Sequence, residues 1–355
     1  MASPDICIVG AGIIGLSLAL ELHDRGAEVV VLEQGVPLAE ASTAAAGMLA
    51  AGDPENPPQI RKLSELSRSL YPDFLNRLFD LSGLSVSFQT STTLQEVHPA
   101  HLEAARGLTV LSTETLSLMV PQLDAKDRRF ILLDENSLDP REMAKALWSS
   151  VQAAGIDVRS GEPVQMLNRN SSGVDVLTAT GKLHAGRVVD CTGAWGLTEF
   201  RKGQVRPLPR KGQMLAVSLP TSLPLQIVVR TPDIYIVPRT MGPAAGRAVI
   251  GATVEDAGFD KTVHTADIAS LKAEASKLLP EIAEAIEVES WAGLRPGSSD
   301  GLPLLGQVEE SIFIAAGHYR NGILLAPATA RVMAQLLSGE GAQIDISAFS
   351  PGRTE

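Results

Sequence analysis

The chain has 355 residues, about two domains' worth at roughly 150 residues per domain. Its 45% hydrophobic and 20% charged content is that of a globular protein and excludes extensive disorder or a fibrous repeat. With 41 acidic against 30 basic residues the net charge is −11, so the chain lacks the positive surface that a phosphate backbone attracts, and nucleic acid is not an expected partner.

The first elements are the most legible. Ile6-Cys7-Ile8-Val9 is a short apolar run, as expected of a parallel strand covered on both faces. Gly10-Ala11-Gly12-Ile13-Ile14-Gly15 follows, then a helical stretch in which Leu18, Ala19 and Leu22 share a face, closed by Gly26. Glu28 to Leu32 reads as a second strand, with Glu33 at its tip. Ser64–Leu81 and Pro140–Ala154 read as helices, the latter with proline in its first turn. Val188 to Cys191 is a further buried strand. Between Met214 and Val254 the pattern changes to hairpins, with strands over Met214–Leu219, Gln226–Arg230, Ile234–Arg239 and Ala248–Val254. Asp267–Leu279 is helical, with Ile268, Leu271, Ala275 and Leu278 on one face. Ile312–Ala316 is a strand that leads through Gly317–Gly322 into a closing helix around Ala328–Leu337.

Parallel-type strands at both ends and in the middle, with hairpins inserted, define an α/β fold (α+β overall). It is a discontinuous Rossmann-like nucleotide-binding domain with an inserted antiparallel-sheet substrate domain. The expected division assigns 1–84, 141–206 and 290–355 to the first and 85–140 and 207–289 to the second.

Two cysteines, Cys7 and Cys191, are too few for a disulfide framework or a four-cysteine zinc site. The histidines show no metal-ligand spacing, so no metal is expected, and His23 and His264 read as solvated. No apolar run reaches the 18 or so residues of a membrane span, and a secretory start is missing. The expectation is a cytoplasmic protein without a membrane partner.

Each glycine of Gly10-x-Gly12-x-x-Gly15 has a physical reason: a tight turn, backbone approach to a pyrophosphate, and close packing of helix on strand. The helix start then offers free amides and a positive dipole end to phosphates. Glu33 stands where a carboxylate accepts from ribose hydroxyls, and it would repel a 2′-phosphate. NAD and FAD share this turn, and only the interrupted layout favours FAD. Arg295 and Arg320 lie in apolar settings, where a guanidinium needs an anion. A ligand carboxylate and a structural ion pair fit the local sequence equally well. Tyr235 faces away from Ile234 and Ile236 on its strand, so a ligand contact and a core role are both open. Gly297-Ser298-Ser299-Asp300-Gly301 has the spacing of a serine nucleophile elbow, yet Pro296 before it and Leu302-Pro303 after it exclude the required strand and helix. Asn170-Ser171-Ser172 is a formal glycosylation sequon without meaning in a cytosolic protein.

Three stretches carry a resemblance over essentially the whole chain: Ala41–Leu49, Trp291–Gly306 and Ala315–Pro327. The sequence resembles the glycine-oxidase branch, of the thiamine-biosynthesis type, within the D-amino-acid oxidase family of FAD flavoproteins. The resemblance implies that Gly10, Gly12, Ile13, Ile14 and Gly15 meet the pyrophosphate and that Glu33 and Gln34 hold the adenosine ribose. It places Ala41, Ser42, Ala46, Gly47 and Met48 along the flavin and Val164 at the adenine. His318, Tyr319, Arg320, Asn321, Gly322, Ile323 and Leu324 would pass the isoalloxazine. Arg295 would clamp the substrate carboxylate, with Tyr235 and Arg320 assisting. FAD would be non-covalent, since 317–322 hold no cysteine. The implied partners are a small amino acid, O2, a homo-oligomer (a homotetramer) and thiazole synthase as the downstream enzyme. No side chain is expected to act as catalytic base. Val254 stands where relatives can carry methionine beside the substrate, which opens D-alanine, D-proline or sarcosine as substrates. A D-amino-acid dehydrogenase using another acceptor and a non-catalytic dinucleotide-binding protein remain the alternatives. A tRNA-modifying relative is disfavoured by the acidic balance.

Overall fold

A computed structural model describes residues 3–97, 108–197 and 205–354. Ile6–Val9 lies inside a six-stranded sheet ordered Leu304–Glu309, Ile312–Ala316, Arg187–Asp190, Ile6–Val9, Val29–Glu33, Asp157–Ser160. Its neighbours run parallel except the edge pair Leu304–Glu309 and Ile312–Ala316. The period of two sorts the strand residues between faces. Ile6, Ile8, Val31 and Val189 enter a core with helices Ile13–Asp24, Arg61–Ser82, Pro140–Ala153 and Gly322–Leu337. Cys7, Val9, Val30 and Val188 instead meet the three-stranded antiparallel meander Val164–Asn170, Gly173–Thr178 and Lys182–Ala185. Both cysteines are free and buried, and burial raises their thiols above the ordinary range. They serve as small apolar side chains.

A second sheet holds seven strands, ordered Ile286–Ser298, Pro207–Ser218, Arg247–Gly251, Tyr235–Arg239, Val228–Arg230, Thr93–Glu96, Phe130–Leu133. Val228–Arg230 and Thr93–Glu96 pair in parallel, and the remaining neighbours are antiparallel. One face sends Leu215, Val217, Ile234, Ile236 and Ile250 against helix Thr265–Leu278, whose Ile268, Leu271, Ala275 and Leu278 form the expected stripe. The opposite face, with Met214, Tyr235, Val237 and Val249, meets Ala44, Ala46 and Met48. The functional site sits on this second face, between the two sheets.

Several elements run beyond their expected limits. The strand expected from Met214 starts already at Pro207, and the closing helix starts at Gly322. Ile286–Ser298 was not expected as a strand, and it runs across residue 290, the expected division between units. Among the described residues no helix is long and apolar enough to cross a membrane.

Candidate active site

A cavity of about 450 Å³ reaches from the glycine turn to the face of the seven-stranded sheet. Gly10, Gly12, Ile13 and Ile14 form one end, with Glu33, Gln34 and Val164. Gly10 has φ +105° and its Cβ would lie 2.5 Å from the Cys191 carbonyl oxygen, so only glycine fits. Gly15 stands behind the turn, outside the lining; its Cβ would lie 2.0 Å from the Gly10 carbonyl oxygen. The Glu33 carboxylate accepts from the Ala11 and Gly35 amides, both at 2.8 Å. Ser42 Oγ accepts from the Ile13 amide at 2.9 Å, which satisfies one free amide at the helix start.

The wall 41–48 is pinned on three sides. Trp291 Nε1 donates to the Ala44 carbonyl at 3.0 Å, and buried Arg239 donates from Nη2 to the Ala46 carbonyl at 2.9 Å. The Leu138 amide donates to the Gly47 carbonyl at 2.9 Å. Gly47 has φ +88°, and a Cβ there would meet the Leu138 carbonyl oxygen at 2.0 Å. Arg141 stacks over Trp291 at 4.9 Å.

The far end holds the arginine and the tyrosine. Arg295 Nη1 donates to the carbonyls of Thr253 at 3.1 Å and Lys211 at 3.3 Å. Among the described residues it pairs with no carboxylate. Its guanidinium lies over Gly212, where a Cβ would sit 2.3 Å from Nη1. Tyr235 is buried, and its hydroxyl donates to Met214 Sδ at 3.2 Å, over Gly251. Gly293 clears space for Ala44, whose Cβ would be 2.6 Å from an added one. The sheet is thus stripped of side chains beneath Arg295, Tyr235 and the 41–48 wall.

His318, Tyr319, Arg320, Gly322 and Ile323 close the cavity. Tyr319 takes φ +50°, a left-handed conformation that is rare for an aromatic residue. His318 is 2% exposed; burial lowers its pKa to about 3, so the ring is neutral. Its Nε2 pairs with Thr329 Oγ1 at 3.1 Å, and Nδ1 has no partner among the described residues.

Not every expected residue lines this space. Asn321 turns to Asn56 Oδ1 at 3.1 Å, and Leu324 is core, its carbonyl held by Ser67. Val254 is a correction: it is 61% exposed and outside the lining, so it gives no ground for a widened substrate range. Met214 stands in the wall instead. Sequence reading also missed Gly212, Gly293 and the stretch Thr192–Leu197, which Asp190 folds by accepting from the Thr192 and Leu197 amides. Ser298 donates to the Leu302 carbonyl at 2.7 Å in a turn and forms no nucleophile elbow. Ser172, His184 and Asp175 line up at 3.4 and 2.8 Å like a hydrolase triad. They lie on the surface beyond the cavity, and Ser172 Oγ donates to Asn170 at 2.8 Å.

A two-sheet fold, a glycine turn and a long cavity ending at an unpaired arginine define the class of dinucleotide-dependent redox enzymes that act on small anions. The chain matches the FAD dependent oxidoreductase (DAO) family over residues 5–336 and belongs to it. It is 33% identical to a glycine oxidase of Pseudomonas aeruginosa, covering 98% of this chain and 99% of that one. Its structure superimposes on the crystal structure of glycine oxidase from Geobacillus kaustophilus with a TM-score of 0.92, at 31% identity and 100% of both chains. It is also 35% identical to the bifunctional protein ThiO/ThiG of Trichormus variabilis over 94% of this chain, and spans about half of that relative's length, 52%.

The cofactor is therefore FAD, and the residues present fit it. The glycine turn offers helix amides, and the cradle at Gly12 meets nothing nearer than Ser42 Oγ at 3.5 Å.

Proposed function

We propose that this protein is a glycine oxidase, converting glycine and O2 to the imino acid and H2O2, with hydrolysis of the imine to the 2-oxo acid. The observation that carries this reading is Arg295, a cation turned into the cavity and met by carbonyls alone. A half-buried guanidinium of this kind takes a carboxylate in bidentate fashion. A structural ion pair, which a non-catalytic reading requires, has no acidic side chain to form with among the described residues.

Bound FAD supplies the two-electron acceptor for oxidation of the amine-bearing carbon. Everything else falls to the chain. Arg295 binds the carboxylate, and Tyr235, with Arg320 at the rim, orients it. Gly10, Gly12, Ile13 and Ile14 hold the pyrophosphate, Glu33 and Gln34 the ribose, and Val164 the adenine. The segments 41–48 and 318–323 hold the flavin, non-covalently. Met214 and Tyr235 limit the space beside Cα, which favours glycine over larger amino acids. No side chain is needed as base once the ammonium proton has left for solvent.

The six-stranded sheet takes its strands from 1–84, 141–206 and 290–355, which supports the FAD-binding unit, and most of the other sheet comes from 85–140 and 207–289. We place the enzyme in the cytoplasm as a homo-oligomer that supplies iminoglycine to a thiazole synthase. The match to half of bifunctional ThiO/ThiG proteins supports that partner. Steady-state turnover with glycine in air tests the reading: oxygen uptake matched one to one by peroxide is expected, and turnover only with an artificial acceptor overturns it in favour of a dehydrogenase.

A further inference from the structure

We propose that Lys211 and Glu255 are positioning residues that hold Arg295 in place for the substrate carboxylate. This rests on the carboxylate-clamp reading of Arg295. The arginine takes its pose from two backbone carbonyls, those of Lys211 and Thr253, and is only as well placed as they are. Both carbonyls lie on one seam, where strand Pro207–Ser218 meets segment 253–255. Lys211 N–H donates to the Glu255 carbonyl at 3.1 Å, and Glu255 N–H returns to the Lys211 carbonyl at 2.9 Å. Gln213 N–H donates to Thr253 Oγ1 at 2.8 Å.

Side chains then lock this seam around one carboxylate. Glu255 Oε1 accepts from Gln213 Nε2 at 2.8 Å and from the Thr253 hydroxyl. Glu255 Oε2 lies 3.1 Å from Lys211 Nζ, whose side chain is 1% exposed. Among the described residues Glu255 is the one carboxylate within 4.0 Å of that ammonium. A buried ammonium is costly unless matched by a countercharge in good geometry. Lys211 Nζ makes no hydrogen bond among the described residues, so Glu255 meets it as a countercharge alone, and that attraction joins the residues whose carbonyls carry Arg295. Burial pushes the Glu255 carboxyl up, but the bonds from Thr253 and Gln213 and the charge of Lys211 outweigh it and leave it below its ordinary value. Glu255 therefore stays charged at neutral pH. Losing either member leaves the other charge unmet and loosens the seam, and Arg295 moves with it. A clamp displaced by a fraction of an ångström binds its carboxylate less well.

Glu255→Gln keeps the shape of the hub and removes its charge, and Lys211→Met removes the ammonium. In the FAD-loaded protein we expect acetate, titrated by its effect on the flavin spectrum, to bind at least about tenfold more weakly in both variants. The glycine KM rises in step, while flavin content and kcat stay within about twofold. Placed in an Arg295→Ala background, Glu255→Gln leaves glycine kcat/KM unchanged, because its effect runs through the arginine. The double variant Lys211→Met/Glu255→Gln carries the same prediction should a single one fail to fold. FAD-loaded variants that bind acetate like the wild type overturn the proposal, as does a further loss from Glu255→Gln when Arg295 is already alanine. Wild-type protein that binds acetate but does not oxidise glycine defeats the oxidase reading alone, and the acetate titrations still decide this one.

Discussion

Arg295, Tyr235 and His318 each bring a polar group into a largely apolar cavity, and each is held differently. Arg295 leans on two carbonyls, Tyr235 on a thioether, and His318 on a threonine hydroxyl through one ring nitrogen. For His318 the burial has a measurable consequence. Its folded pKa of about 3 lies below the unfolded value near 6.5, so the unfolded chain binds the extra proton first. Its contribution is fully present above pH 6.5 and is lost as pH falls toward 3, by about 1.4 kcal/mol per pH unit. Between pH 6.5 and 5 the wild type should lose about 2 kcal/mol more than His318→Gln, read from urea unfolding of the FAD-loaded proteins. Equal acid slopes would show that the imidazole is not held neutral.

Among the elements, the strand–turn–helix at the start is the most tightly determined. Gly15 lets helix Ile13–Asp24 cross its own turn, and Gly15→Ala should destabilise the protein by about 3 kcal/mol and empty the FAD site. Gly26→Ala is the control: its φ is +82° with nothing within 4 Å, so a loss of about 1 kcal/mol is expected with FAD retained. Thermal unfolding and flavin content measure both, and equal effects would contradict the packing argument. This turn was legible in the sequence because its glycine spacing serves one geometry. Arg295 was legible only as a cation in an apolar setting, and the resemblance had to choose between ligand and ion pair. Gly212 and Gly293 were not legible, because an isolated strand glycine marks a bulge, a bend or a close approach alike. Strand Ile286–Ser298 was missed for another reason. It is the edge of its sheet, its first five residues are exposed, and its second half is broken by Gly293, Pro296 and Gly297, so no alternation of period two survives.

At the scale of the molecule, two sheets from interleaved segments enclose one cavity. The six-stranded sheet and its helices present backbone amides at one end, and the seven-stranded sheet presents Arg295 and Tyr235 at the other. Neither sheet makes the site alone, which is why the 41–48 wall is tied to both: Ser42 to the Ile13 amide, Ala44 to Trp291, Ala46 to Arg239. The division of labour gives two separable properties, flavin retention and carboxylate capture. An anaerobic titration with glycine, followed at the flavin absorbance bands in wild type and Arg295→Ala, tests this most directly. The wild type should bleach, and the variant should keep its FAD but bleach only at glycine concentrations roughly two to four decades higher, the worth of about 3–5 kcal/mol for an orphaned buried charge. A flavin-loaded Arg295→Ala that bleaches at the wild-type glycine concentration would contradict the account.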